Sequence, residues 1–99
     1  MTFTCTDGKL TIMLDERIDS MNSNAFDDEL GKIVGGNAHK SLVLDAQNLS
    51  YISNAGLRVL LKYRKSLGGL ALNNVSDEIY EIFEVTGFSD ILEISRKSK

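Results

Sequence analysis

The sequence predicts an α/β fold, one domain over residues 1–99 in which a mixed β-sheet is opened by a β-hairpin and helices pack against it. Three observations carry the prediction. Two strand-like segments flank Asp7-Gly8 at the start of the chain. Beyond them, stretches of helical period alternate with short apolar runs, the order expected of crossover units around a sheet. The chain has 99 residues, 42% of them hydrophobic and 25% charged, which suits one ordinary globular core rather than two domains or a disordered segment.

Taken in order, Leu10, Ile12 and Leu14 alternate with Thr11 and Met13, the two-residue period of a strand buried on one face. Thr2 to Cys5 can pair with it across Asp7-Gly8, because that dipeptide readily takes the positive φ of a tight hairpin. Asn22 and Ser23 are both good helix caps, and Phe26, Leu30, Ile33 and Val34 then recur at i, i+4, i+7 and i+8, one face of a helix that Gly35-Gly36 is expected to close. Leu42-Val43-Leu44 has the continuous apolar character of a central strand buried on both faces, with Asp45 at its carboxyl end.

After a loop from Ala46 to Ser53, Leu57, Leu60, Leu61 and Leu67 keep approximate helical spacing, with Arg58, Lys62, Arg64 and Lys65 on the polar side and Gly68-Gly69 at the end. Leu70 to Leu72 reads as another strand. Ser76 caps a third helix whose first turn carries Asp77 and Glu78, where negative charge suits the helix dipole, and whose buried face is Ile79, Ile82 and Phe83. Gly87 stops it, and Ile91 to Ile94 gives the last strand.

Several functions are excluded by what the chain lacks. Its net charge is −3 and it has no basic run able to neutralise successive phosphates, so nucleic acid is not an expected partner. The single cysteine, Cys5, cannot form an internal disulfide, and the start of the chain has no signal-peptide pattern, which points to the cytoplasm. No stretch approaches the ~20 apolar residues that span a bilayer, so direct membrane insertion is not expected.

Enzyme chemistry is not expected either. His39, the one histidine, stands in a connection without a nucleophile or carboxylate cluster at recognisable spacing and reads as a surface loop residue. Cys5 reads as a small buried hydrophobe in its strand. No paired cysteines or histidines have metal-ligand spacing, and Asp27, Asp28 and Glu29 fan around a helix too widely to converge on one ion, leaving a solvated acidic face. The glycine pairs lack the lysine and hydroxyl of a phosphate-binding loop. Neither a metal nor a cofactor is expected.

The informative segment is Asn48-Leu49-Ser50-Tyr51-Ile52-Ser53-Asn54-Ala55-Gly56-Leu57-Arg58, with Val43-Leu44-Asp45 before it and Val59-Leu60-Leu61 after it. An apolar strand ending in Asp, the Leu-x-Tyr-Ile approach and the Gly-Leu-Arg entry to a helix together resemble the signature of the STAS domain of bacterial anti-sigma factor antagonists. Arg17-Ile18-Asp19 resembles the segment before the family's first helix, with Glu16 where glycine is common, and Thr86-Gly87-Phe88 resembles the close of its third helix. The resemblance thus extends over essentially the whole chain.

It implies a protein-binding module in a partner-switching pathway, without catalysis. In that family the unphosphorylated antagonist binds an anti-sigma factor of the serine-kinase type, and phosphorylation of a serine or threonine at the start of the second helix reverses this. Aligned on Gly56-Leu57, the phosphoacceptor position falls on Asn54, and the preceding residue, often aspartate, is Ser53. Three accounts are open: Asn54 is a helix cap in a protein regulated elsewhere, or it holds the surface permanently in its binding-competent form, or Ser53 takes the phosphate instead. The implied partner surface is Ser53, Asn54, Ala55, Gly56 and Arg58, supported by Asp19 and Asp45. Those two carboxylates are equally compatible with ordinary capping, and Arg58 with plain solvation. The alternative function is a STAS subunit, structural or regulatory, of a membrane complex transporting lipids or anions.

Overall fold

A computed structural model of the chain describes residues 1–37, 40–67 and 70–97. Asp7 and Gly8 take φ of 53° and 79°, the two left-handed residues that let a two-residue turn match the twist of its strands. They join β1 (Thr2–Thr6) antiparallel to β2 (Lys9–Met13), with Thr6 opposite Lys9 and Thr2 opposite Met13. There follow β3 (Arg17–Ile18), α1 (Ser23–Gly36), β4 (Ser41–Asp45), β5 (Tyr51–Ile52), α2 (Asn54–Leu67), β6 (Ala71–Val75), α3 (Asp77–Thr86), a 3-10 turn (Phe88–Asp90) and β7 (Glu93–Arg96).

The main sheet has the order β1-β2-β4-β6-β7, with every pair after the hairpin parallel. Each successive crossover advances one strand in the same direction. Right-handed connections therefore put α1, α2 and α3 on one face of the sheet. On that face Leu10, Ile12, Leu14, Leu44 and Leu72 are at most 1% exposed, as are Leu30, Leu60 and Phe83 from the helices above. Register places Thr11, Val43 and Ala71 in a row on the opposite face. Removing any of the large core side chains would cost about 2–5 kcal/mol.

The sheet, the hairpin and the three helices match the reading of the sequence, and the differences have local causes. Gly35 and Gly36 do not close α1 in a left-handed turn; both are helical. Asn37 ends the helix in an extended conformation (φ −132°), and its side-chain amide donates to the Ile33 carbonyl at 2.8 Å, so no left-handed residue is needed to satisfy that orphan acceptor. Gly87 does close α3 left-handed (φ 82°), its N–H donating to Glu84 O, and Ser76 caps that helix through a bond from Ile79 N. The last strand begins at Glu93 rather than Ile91, because the 3-10 turn after Gly87 takes up the intervening residues and leaves Ile91 exposed. β6 runs from Ala71 to Val75, longer than the apolar run alone suggests.

Cys5 is exposed, not buried: β1 is the outer strand of the sheet and all five of its residues face solvent. Leu67 is likewise exposed at the end of α2. His39 and Gly68-Gly69 lie outside the described residues.

The acidic triplet of α1 is not uniformly solvated. Asp27 is half-buried against α2, where Lys62 Nζ lies 2.9 and 2.8 Å from its two carboxylate oxygens. The Tyr63 hydroxyl is 3.1 Å from Asp27 O and 3.0 Å from Asp27 Oδ1 and has one hydrogen to donate between them. A Cβ on Gly31 would stand 2.9 Å from that hydroxyl, so the absence of a side chain there lets the two helices close on it. The Lys62 hydrogen bond, opposed by burial and aided by Tyr63, holds the Asp27 carboxyl below its ordinary range. Burial, reinforced by the Asp27 carboxylate, pushes the Tyr63 hydroxyl up to about 12.

A depressed carboxylate contributes stability that is present above its unfolded value and is lost as pH falls through the folded one; a raised phenol contributes stability that is lost as pH rises from the unfolded value to the folded one. The urea midpoint is therefore expected to drop between about pH 5 and about pH 3, and to drop less in Asp27→Asn. Absorbance titration of the native protein should show a tyrosinate phase near pH 12 that is missing in Tyr63→Phe.

Candidate functional site at the amino end of the second helix

A second, two-stranded sheet builds this site. β3 and β5 pair in parallel, Arg17 beside Tyr51 and Ile18 beside Ile52. Each contributes two residues, too few for any periodicity to announce them, and neither strand is visible in the sequence. The pairing is extended on both sides: Ser50 N and Ser50 Oγ donate to Glu16 O at 2.7 and 3.1 Å, and Ser53 N donates to Ile18 O at 2.8 Å. Ile18, Leu49 and Ile52 are buried beneath it. The chain thus arrives at α2 already held in place.

Ser53 caps the helix. Its Oγ accepts from Gly56 N at 3.3 Å and its carbonyl accepts the first helical bond from Leu57 N at 2.9 Å. This corrects the view of Asn54 as the cap: Asn54 is the first residue of α2 and is exposed, while Ser53 and Ala55 are half-buried. Arg58, one turn further on, is exposed as well. Gly56 is buried and offers a partner no side-chain surface. A Cβ there would lie 2.7 Å from Ile18 Cγ2 and 2.8 Å from Ile52 Cγ1, so glycine is what allows the helix to sit directly on the β3–β5 pair.

Asp19 organises the neighbouring loop. Its Oδ1 accepts from Met21 N and Asn22 N at 2.9 and 3.0 Å, and its Oδ2 takes the Arg17 Nε at 2.9 Å. Asn22 closes the loop from the other side, Oδ1 accepting from Asp19 N at 2.8 Å and Nδ2 donating to Arg17 O at 2.9 Å. Asn22 is therefore a loop brace; it makes no side-chain cap bond to α1. The Arg17 hydrogen bond, followed by that from Asn22 N, lowers the Asp19 carboxyl below its ordinary value, so it is an anion wherever the protein is folded near neutral pH. Held by Asp19, the Arg17 guanidinium lies over the Tyr51 ring, 4.4 Å from its centroid.

Asp45 is more distant. Its Oδ1 accepts from Gln47 N at 2.9 Å and from Asn74 Nδ2 at 3.0 Å, tying the loop after β4 to Asn74, which itself has φ 58°. Both carboxylates singled out in the sequence thus act as loop anchors. What sequence reasoning missed is a pair of exposed large apolar side chains on the segments leading into the helices: Met21, 94% exposed, between β3 and α1, and Tyr51, on β5. Among the described residues no three His, Cys, Asp or Glu side chains are placed to hold a metal ion, and no helix is long and apolar enough to cross a membrane.

The whole chain, residues 1–99, matches the STAS domain. It is 34% identical, over 96% of its length and 84% of the relative's, to a Bordetella bronchiseptica protein named as the anti-sigma factor antagonist BtrV. Among solved structures, the fold is similar to that of a Thermotoga maritima protein described as an anti-sigma factor antagonist (TM-score 0.85, 15% identity, 95% of this chain and 84% of that one). It is similar too to part of the murine anion transporter Slc26a9 (TM-score 0.77, 19% identity, 92% of this chain and 16% of that one).

Gly56→Ala tests how the site is built. The overpacking against Ile18 and Ile52 is expected to cost about 1–3 kcal/mol, read as a lower urea midpoint with an unchanged slope.

Proposed function

The chain belongs to the STAS domain family, and on that premise we propose that it acts as an anti-sigma factor antagonist that binds a serine-kinase-type anti-sigma factor through the amino end of α2 and catalyses nothing. What supports this is the placement of Asn54, exposed as the first residue of a helix whose entry is braced by the β3–β5 pair and capped by its neighbour. A surface held this way needs little ordering on binding. Ser53, Ala55 and Arg58 flank it, and Asp19 and Asp45 keep the adjoining loops in shape.

Asn54 occupies the phosphoacceptor position in this proposal, and its amide cannot accept phosphate. Because Ser53 supplies the cap, asparagine is not retained at 54 for capping, and of the three accounts the one favoured is a surface kept permanently in its binding-competent form. Ser53 is a poor substitute acceptor: it is half-buried and its hydroxyl oxygen already receives the Gly56 N–H. A negative charge at position 54 would be tolerated by the fold, since the amino end of a helix favours anions, but it would alter the docking surface.

The alternative is a STAS subunit of a lipid or anion transport complex. The likeness to the anion transporter supports it in fold alone, whereas the antagonist relative shares sequence over nearly the whole chain. Co-purification with permease or ATPase subunits, in place of a kinase-type anti-sigma factor, would favour this alternative.

Titration against the serine-kinase-type anti-sigma factor encoded in the same genome tests the proposal. Wild type is expected to bind with or without ATP, and Asn54→Asp about tenfold more weakly at unchanged melting temperature. Undiminished affinity of the aspartate variant would remove this loop from the interface. In a kinase assay read by mass spectrometry, wild type should gain no stoichiometric phosphate at Ser53, and Asn54→Ser should gain one.

A further inference from the structure

The exposed side of α2 says something about the chemistry of what docks there. In a chain of net charge −3, this helix carries Arg58, Lys62, Arg64 and Lys65 and no acidic residue. Both described arginines outside α2 are paired within the protein, Arg17 with Asp19 and Arg96 with Asp77, and on α2 itself Lys62 is taken by Asp27. Arg58 and Lys65 are exposed and, among the described residues, neither has a carboxylate at ion-pair distance. With Leu61, Lys62 and Ser66 they line a shallow groove along the helix, in which Leu61 is the half-buried apolar floor.

The spacing is specific. Arg58 and Lys65 are seven residues apart, two helical turns or about 10 Å, on the same side of the helix and with Leu61 between them. The groove begins one turn beyond Asn54, so it is continuous with the proposed partner surface. Residues 54 and 58 also stand in the i, i+4 relation, in the favourable order of acid before base for a side-chain ion pair.

Resting on the function proposed above, we infer that the partner segment seated in this groove is an acidic amphipathic helix. Two of its carboxylates, seven residues apart, meet Arg58 and Lys65, and an apolar side chain between them rests on Leu61. It follows that an acid at position 54 acts by competition. It captures Arg58 within α2 and withdraws it from the partner's carboxylate, so the charge needs no conformational change to weaken docking.

The test uses the full chain and the purified serine-kinase-type anti-sigma factor of the same genome, titrated at low and high salt. Wild-type affinity is expected to fall as salt rises. The double reversal Arg58→Glu with Lys65→Glu should weaken binding about a hundredfold at low salt and much less at high salt, with an unchanged melting temperature. Asn54→Asp, costing about tenfold in the native background, should cost about twofold or less in an Arg58→Ala background, the non-additivity that competition for one arginine requires. A salt-independent affinity together with an undiminished double reversal would overturn the acidic helix and leave the antagonist function intact. Failure of wild type to bind at any salt would overturn both. Wild-type binding to vesicles of equal parts phosphatidylcholine and phosphatidylserine, as tight as to the kinase and lost in the double reversal, would assign the groove to a lipid surface and overturn the inference.

Discussion

The contact on which the site depends is the approach of α2 to the β3–β5 pair at Gly56. No side chain larger than hydrogen fits between the helix backbone and the side chains of Ile18 and Ile52. That contact fixes where α2 starts, hence where Ser53 caps and where Asn54 is displayed. It also explains how two strands of two residues each persist: the isoleucines that point from them are clamped from above by the helix and buried in the main core. Hydrogen bonds from Ser50 and Ser53 to Glu16 and Ile18 then lock the two segments in register. Packing and hydrogen bonding here depend on each other, and neither set would hold two-residue strands alone.

The fold was largely legible because its signals are periodic. Leu10, Ile12 and Leu14 show the strand, Phe26, Leu30 and Ile33 the first helix, and Asp7-Gly8 the turn, each through a rule that operates within a dozen residues. Errors arose where the deciding contact is distant or the local rule has more than one solution. Gly35-Gly36 offered a left-handed stop, and Asn37 supplied a different one by bonding back to Ile33. Cys5 has the composition of a buried residue, but burial depends on what covers a strand, and β1 is at the edge of the sheet. Asp27 looked like one of three equivalent surface acids until α2 brought Lys62 and Tyr63 to it from thirty-five and thirty-six positions away.

At the candidate site the sequence singled out one segment and blurred the division of labour within it. Ser53 and Asn54 are both capping types, and only the geometry separates them: one is turned inward to the free N–H of Gly56, the other outward. Asp19 accepts the N–H groups of Met21 and Asn22 in its own loop before α1, and Asp45 those of Gln47 and Asn74, partners that the sequence alone does not name. The Arg17–Tyr51 stack was not foreseen, because it depends on the pairing of segments more than thirty residues apart.

The cap has a consequence for how such a domain can change over time. The hydroxyl that begins α2 belongs to Ser53, so the exposed residue next to it, Asn54, carries no capping duty. Each asparagine codon becomes a serine codon by one base change. A lineage can therefore exchange an amide for a phosphate acceptor at position 54, or back again, in a single mutational step that leaves the helix start untouched. Regulation is free to drift on a scaffold that selection for stability holds still.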